Sequence, residues 1–406
     1  MGYKSVVIKG ISWVASLRYI TRILTVFRIS ILARIFTPLQ FGFYGIAFLV
    51  LNLIEILAET GINIFLVQKK ENAQKYINTA WIVSIVRGTV IAVVILAVSP
   101  LVVSFFNMSG YLHLLVLISI VPFVKGFANP AVIFYQKDLK FKNEFYFKFS
   151  IFLIESLFIV FAALITREIY SIALGMLAGA LAEVFISFKL INPRPVFKYE
   201  AIRIKEVFHR GKWVTVSGIF NYLFHNFDDM VVGKILGASS LGLYQMAYKI
   251  SIFPISEISD VVSRVTFPVY AKIGHDRARL RKAFLKAFTL ISVLSIILGI
   301  FLFVFTREVV LLVLGRNWID IIPFFKILII FGVVRGISGS TSALYFALNK
   351  QEYVFIITFV SFLVLIATIF PLVAAWGLIG VSISVLISSV VVVPFMIYYT
   401  LKLLHD

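Results

Sequence analysis

Apolar residues run along this chain in stretches of about 20, the length that crosses the hydrocarbon layer of a bilayer. Breaking the chain at charges and turn signals predicts helices near 11–33, 42–66, 79–105, 112–135, 149–166 and 169–190. Six more are predicted near 213–236, 241–265, 287–306, 321–347, 353–374 and 378–401. The expected fold class is all-α, an integral membrane protein of about twelve transmembrane helices. The most polar stretch, Asn192 to Lys212, carries Pro193, Pro195 and six Lys or Arg. It reads as a linker with a short interfacial amphipathic helix around Tyr199–His209. The chain then divides into a first lobe at 1–190, the linker at 191–212 and a second lobe at 213–406. The apolar run from Ile11 is studded with Arg and lacks a small-residue cleavage site, so it reads as the first helix rather than a signal peptide. The outer segment Arg307–Asp320, apolar over Val309–Leu314, reads as a connecting turn.

Composition points the same way. Of 406 residues 61% are hydrophobic and 14% charged, and mean hydropathy is +1.02. A soluble domain carries roughly 25% charged residues and at this size buries only about 75% of its chain surface. Lipid has to be the second solvent. Cysteine is absent, which excludes disulfides, a thiol nucleophile and Cys-ligated metal; no cofactor motif is present either. The net charge of +19 does not indicate nucleic acid, because the basic residues lie between apolar runs. With the N-terminus inside, cytoplasmic segments hold 23 Lys and Arg, outer segments five, and spans the remaining ten of the 38. That bias predicts a multi-pass protein of the cell membrane with both termini cytoplasmic.

The chain also repeats itself. At a shift of 200 residues, Ile31–Ala47 lies over Val231–Ala247 without a gap, matching Arg34 with Lys234, Gly42 with Gly242 and Tyr44 with Tyr244. At a shift of 210, Val124-Lys-Gly126 meets Val334-Arg-Gly336, Tyr135 meets Tyr345 and Lys140 meets Lys350. Two six-helix lobes of the same polarity are the plan of alternating-access carriers.

Charges inside spans are expensive, about 2.5–3.5 kcal/mol each at a helix centre on insertion scales, so they mark cavities or partners. On the first helix Arg18, Thr21, Arg22, Thr25 and Arg28 fall within an arc of about 120°. Two readings stand for Arg18, a cavity-facing cation or a side chain that snorkels to the headgroups. The seventh helix carries the counterpart stripe Ser217, Asn221, His225 and Asp228, with Asp229 at its flank; Arg28 meets Asp228 under the 200-residue shift. Those two are candidates to pair in one conformation and part in another. His225 is either a packing residue or a group that titrates near neutrality. Glu55 and Glu59 stack in the second helix, and Glu257, Asp260 and Arg264 line one side of the eighth. Such acids either pair to hold helices together or, like Asp228 and Asp229, carry a coupling proton or sodium ion and gate the cycle. Arg87, Lys125, Lys249, Lys326 and Arg335 are spread among the other spans. A surplus of Arg suits phosphate or diphosphate, which guanidinium binds bidentately.

Several segments resemble one family. Leu32-Ala-Arg-Ile-Phe-Thr-Pro-Leu-Gln-Phe-Gly-Phe-Tyr44 resembles the signature after the first helix of the polysaccharide transporter family, and Glu59-Thr-Gly-Ile-Asn-Ile-Phe-Leu-Val-Gln68 the segment that follows. Leu314-Gly-Arg-Asn-Trp318 and Ala343-Leu-Tyr-Phe-Ala347 are similar to its tenth-helix region. The resemblance is to Wzx-like oligosaccharide flippases of the multidrug/oligosaccharidyl-lipid/polysaccharide (MOP) superfamily, relatives of the lipid II flippase and of MATE exporters. It implies transport of a polyprenyl-diphosphate-linked oligosaccharide to the outer leaflet by alternating access. Membrane lipids surround the protein, and a glycan polymerase and glycosyltransferases of the same pathway are the implied partners. Arg18 and Arg22 match first-helix arginines of lipid-linked precursor flippases, and the substrate-binding set expected is Arg18, Arg22, Thr25, Arg28, Asn221 and His225. Two departures stand out: Leu39-Gln40 replaces the common acidic pair, and twelve spans are found where many relatives have fourteen. The alternatives are a MATE-like small-molecule exporter, which favours an acidic cavity, and a membrane glycan polymerase or ligase, which needs a large outer loop; the expectation here is a transporter, not an enzyme.

Overall fold

A computed structural model describes residues 3–59, 66, 76–198 and 201–405. Among them there is no strand. The helices are α1 (Tyr3–Ile35), α2 (Pro38–Leu57), α3 (Ile77–Phe105), α4 (Leu112–Gly126), the short α5 (Phe134–Lys137), α6 (Phe141–Thr166), α7 (Tyr170–Leu190) and α8 (Ala201–Ile235). They continue with α9 (Gly237–Ile273), α10 (Arg277–Val304), the short α11 (Thr306–Val313), α12 (Ile322–Ala347), α13 (Gln351–Val391) and α14 (Val393–His405). The chain forms two compact units, Met1–Asn226 and Phe227–Asp406, and the division falls inside α8. In the first unit α1 packs on α6, α3 on α4, and α7 on both α4 and α6. In the second, α12 is the central element, in contact with α9, α10 and α13.

Among the described residues, by length and apolarity alone, seven helical runs qualify as membrane spans, or eight when α4 and the helical turns at Pro130–Lys137, bent by 71°, are joined. α1, α8 and α9 fall short because they carry the intramembrane charges. The run Gln351–Leu404 holds two crossings. Gly377, at φ 55° and ψ −129°, breaks α13. Ser361 donates to the Ser388 carbonyl at 3.0 Å, and Tyr353 stacks on Tyr399 at 4.2 Å. A straight helix would put Ser361 and Ser388 about 40 Å apart, so the chain turns back at Gly377. This is an all-helical integral membrane protein.

Helix ends differ from the sequence expectations for a consistent reason. The predictions stop at charges, whereas helix continues through charged flanks beyond the hydrocarbon: α6 starts at Phe141 and α10 at Arg277, and α9 runs to Ile273. The expected interfacial helix at Tyr199–His209 and the span from 213 are one unbroken helix of 35 residues, about 52 Å long and well over the bilayer core; Tyr199 lies outside the described residues. α2 ends at Leu57, so Glu59 lies just past the helix rather than within it; positions 60–65 and 67–75, with Lys69, Lys70 and Lys75, lie outside the described residues. The segment Arg307–Asp320 is not a bare turn. It holds α11 and a 3-10 turn at Arg316–Ile321, anchored by fully buried Val310, Leu314 and Trp318.

The repeat is written into the backbone. Leu139 and Asn349, 210 residues apart, both adopt φ 57°. Each follows a matching set of bonds: Lys140 N–H to the Tyr135 carbonyl at 2.7 Å, and Lys350 N–H to the Tyr345 carbonyl at 2.8 Å. Arg167 (φ 52°) and Gly377 (φ 55°) are likewise 210 apart. The ten extra residues of the second copy fall around α11 and its 3-10 turn, which is why the shift changes from 200 to 210. The α3–α4 crossing in the first unit brings backbones together at two glycines. A Cβ on Gly126 would stand 2.8 Å from the Ser84 carbonyl, and one on Gly88 would meet the Pro122 carbonyl. Small residues permit such close approach of membrane helices.

Candidate functional site

α1 carries the polar stripe on one face. The Thr21 and Thr25 hydroxyls donate to the carbonyls of Leu17 and Thr21, each at 2.7 Å, so both satisfy themselves within the helix. Arg18 is half-buried and Arg22 exposed. Arg28 engages α6 three ways. Its Nη1 lies 3.3 Å from Glu155 Oε1, donates to Ser156 Oγ at 3.1 Å, and the guanidinium stands 5.5 Å from the Phe152 ring centroid. Tyr44 is within electrostatic reach of both Arg28 and Glu155.

The first unit holds a half-open polar cavity of about 460 Å³ between α2, α3, α4, α6 and α7. Its charged lining is Glu55, Arg87, Lys125, Glu144, Lys148 and Glu183. Lys148 Nζ meets Glu144 Oε1 at 2.5 Å, and Gln136 donates to the same oxygen at 2.6 Å. Arg87 Nη2 pairs with Glu59 Oε2 at 2.9 Å and donates to the Glu55 carbonyl at 3.1 Å. A smaller cavity of about 290 Å³ adjoins these residues, bounded by Asn52, Glu55, Glu59, Arg87, Tyr222 and Asn226. Tyr222 anchors the first part of α8 by donating to the Leu49 carbonyl at 2.6 Å. At about 30 Å³ per water, the larger cavity has room for roughly fifteen molecules. Hydration and pairing together make six ionisable groups tolerable where isolated charges cost several kcal/mol.

In the second unit, Asp228 is buried, 6% exposed, and accepts from the Tyr244 hydroxyl at 2.7 Å. Asp229 accepts from Gln245 Nε2 at 3.1 Å. Arg335 donates to the Tyr248 hydroxyl and stands 5.8 Å from the Phe331 ring. The end of α8 is thus tied to the start of α9, and α9 to α12. His225 is exposed beside Phe224, Asn221 is exposed, Glu257 is half-buried and Asp260 exposed on α9. The Ser217 side chain lies outside the described residues.

The structure therefore brings Glu55 and Glu59 together around Arg87 and sets Asp228 and Asp229 side by side. Arg28 and Asp228, paired by the repeat, each have a partner inside their own unit. Sequence reasoning missed Glu155, Glu183 and the pair Glu144–Lys148. A lone acid in the middle of an apolar run is itself the signal that would have found Glu155 and Glu183. Lys148 lies one residue before the apolar run predicted at 149–166, yet inside α6.

The family model described as a polysaccharide biosynthesis protein matches residues 31–323. The chain is 26% identical to an uncharacterized membrane protein in the cps region of Klebsiella pneumoniae, over 99% of this chain and 84% of that protein. It is 26% identical to the lipopolysaccharide biosynthesis protein WzxC of Escherichia coli, over 87% of this chain and 73% of that one. Among solved structures, lipid II flippase MurJ in an inward closed conformation superposes with a TM-score of 0.75 at 17% identity, covering 96% of this chain and 88% of MurJ. An inward-facing MATE-family multidrug resistance transporter of the MOP superfamily gives 0.71 at 16% identity, covering 94% of each. The helical scaffold is that of MOP transporters, and the chain belongs to the polysaccharide biosynthesis protein family.

Proposed function

We propose that this protein is a flippase that moves a polyprenyl-diphosphate-linked oligosaccharide, a surface polysaccharide repeat unit, from the cytoplasmic to the outer leaflet of the cell membrane. The cycle is alternating access, with the repeats at 1–190 and 213–406 as the moving parts, the 191–212 segment as their connection and both termini cytoplasmic. Arg18 and Arg22 grip the diphosphate; Thr25, Arg28, Asn221 and His225 extend the binding stripe. The observation that carries this reading is a long first helix with three arginines on one face, in a chain of a polysaccharide biosynthesis family. The enzymes that build and polymerise the glycan are its partners, and a proton or sodium gradient drives it.

Each charge-assisted hydrogen bond to an anion contributes about 1.5–3 kcal/mol. Losing both arginines removes about 3–6 kcal/mol, a fall of roughly a hundredfold to ten-thousandfold in transport. The test is the double variant Arg18→Gln with Arg22→Gln in proteoliposomes that hold short-chain polyprenyl-diphosphate-linked N-acetylglucosamine on one leaflet. Arrival on the other is read with a membrane-impermeant lectin. Protein abundance stays normal and flipping is lost; wild-type flipping in the double variant refutes the assignment.

A further inference from the structure

We propose that the cavity of the first unit is a proton-exchange compartment, in which Glu183 takes up a proton and hands it along the α6–α7 seam to Glu155. The inference rests on the flippase reading for its purpose, though not for its chemistry. Glu55, Lys125 and Glu183 line the cavity without a hydrogen bond from their side chains to any described residue, so water in the cavity is what solvates them. Facing Glu183 are Lys125 from α4, Lys148, Glu144 and Glu155 from α6, Glu55 from α2 and Arg87 from α3. The lining holds three acids (Glu55, Glu144 and Glu183) and three bases (Arg87, Lys125 and Lys148). That balance selects the ion. A metal cation needs several carboxylate or carbonyl oxygens converging on it with no competing positive charge, and no cluster of acids and histidines suited to a metal exists among the described residues. A proton needs one carboxylate and a path of water, and the cavity supplies the carboxylate and the room for that path.

A route onward is built by one missing side chain. Gly179 precedes Glu183 by one helical turn, on the same face of α7. A Cβ there would stand 3.0 Å from the Glu155 Cβ and 3.1 Å from its Oε2. The glycine leaves the Glu155 carboxylate room in the seam, next to the face that bears Glu183. Glu155 is in turn held by Arg28 on the α1 side. The second repeat closes the corresponding place: the equivalent of Glu55 is Ile255, fully buried and packed over Gly332 and Gly336. The cavity is therefore not a by-product of the fold. The step balances simply. A hydronium ion protonates the Glu183 carboxylate and leaves as water, the neutral wall becomes positive by one charge, and an anionic headgroup is favoured. Transfer of that proton to Glu155 returns Glu183 to its carboxylate, restores the neutrality of the wall, and neutralises Glu155 so that its hold on Arg28 loosens.

The experiment pairs two readouts. Infrared difference spectra of the protein in lipid nanodiscs, taken across a pH titration, show a carboxylic C=O band that disappears in Glu183→Gln and survives in Glu155→Gln. In the flipping assay with the N-acetylglucosamine probe lipid, a one-unit pH gradient accelerates the wild type by up to about tenfold, the limit for one proton. Glu183→Gln keeps the gradient-independent rate and loses the acceleration; Glu155→Gln, which also releases Arg28, loses the acceleration as well. A band unchanged in Glu183→Gln, acceleration retained in that variant, or a sodium gradient that substitutes for the pH gradient overturns the proposal. A wild type that flips no probe lipid sinks the transport reading instead, while the infrared band still decides the proton site.

Discussion

Arg28→Met, Glu155→Gln and the double variant close a thermodynamic cycle around the best-defined ion pair of the first helix. At 3.3 Å, with the two side chains 19% and 26% exposed, the direct attraction is about 5 kcal/mol at an effective dielectric constant of 20. Desolvation of both charges offsets most of it. Polar pairs between membrane helices couple by about 0.6 kcal/mol on average and up to about 1.7, so a coupling of about 1–2 kcal/mol is expected for this charged pair. Arg28→Met alone costs more, about 2–4 kcal/mol, because it strands Glu155 in the seam beside Gly179. The assay is unfolding by SDS from mixed micelles, followed by tryptophan fluorescence. Trp13 is a suitable reporter, since it packs on Phe145 of α6 at 5.1 Å. Coupling below about 0.3 kcal/mol, the level at which independent sites add, refutes the pair as a stabilising contact. If Arg28 exchanges Glu155 for Asp228 during transport, as the repeat suggests, coupling between Arg28 and Asp228 shows in flipping rates, and exchanging the two charges restores transport.

Two other substitutions probe the frame that holds the cavity. Asn129 is fully buried; its Nδ2 donates to the carbonyls of Ile191 and Pro193 at 3.2 and 3.1 Å, and its Oδ1 accepts from Ala131 N–H at 3.0 Å. Asn129→Ala leaves these groups unpaired and lowers stability by about 2–4 kcal/mol in the same SDS titration, and a loss under about 0.5 kcal/mol contradicts its role as the tie between the ends of α4 and α7. Gly126→Val forces the α3 backbone at Ser84 away and costs about 1–3 kcal/mol. A variant as stable as the wild type would show that the two helices do not cross in backbone contact.

What the sequence made legible is what the two repeats share. Apolar length marked the helical runs, and the matches at shifts of 200 and 210 marked segments whose turns recur bond for bond at Leu139 and Asn349. Turn geometry is dictated locally, by a few residues and their own backbone bonds, so it survives in the letters of both copies. The site depends on what the copies do not share. At the shift of 200, Glu55 and Arg87 correspond to Ile255 and Ala287; at 210, Glu144, Lys148 and Glu183 correspond to Val354, Thr358 and Val393. Lys125 alone keeps a cation, Arg335, and that arginine donates to the Tyr248 hydroxyl. No single letter says whether an acid in an apolar helix meets a cavity, a cation or lipid, because that is settled by which helix crosses beside it. Gly88 and Gly126 settle it in the first unit by drawing α3 and α4 together, so that polar side chains from five helices converge on one cavity. The second unit sets Ile255 over Gly336, the counterpart of Gly126, and over Gly332, the counterpart of Pro122. One scaffold thus gathers ionisable side chains around a cavity in one copy and sets a buried isoleucine at the equivalent of Glu55 in the other, and the difference is carried by a handful of side chains rather than by the fold.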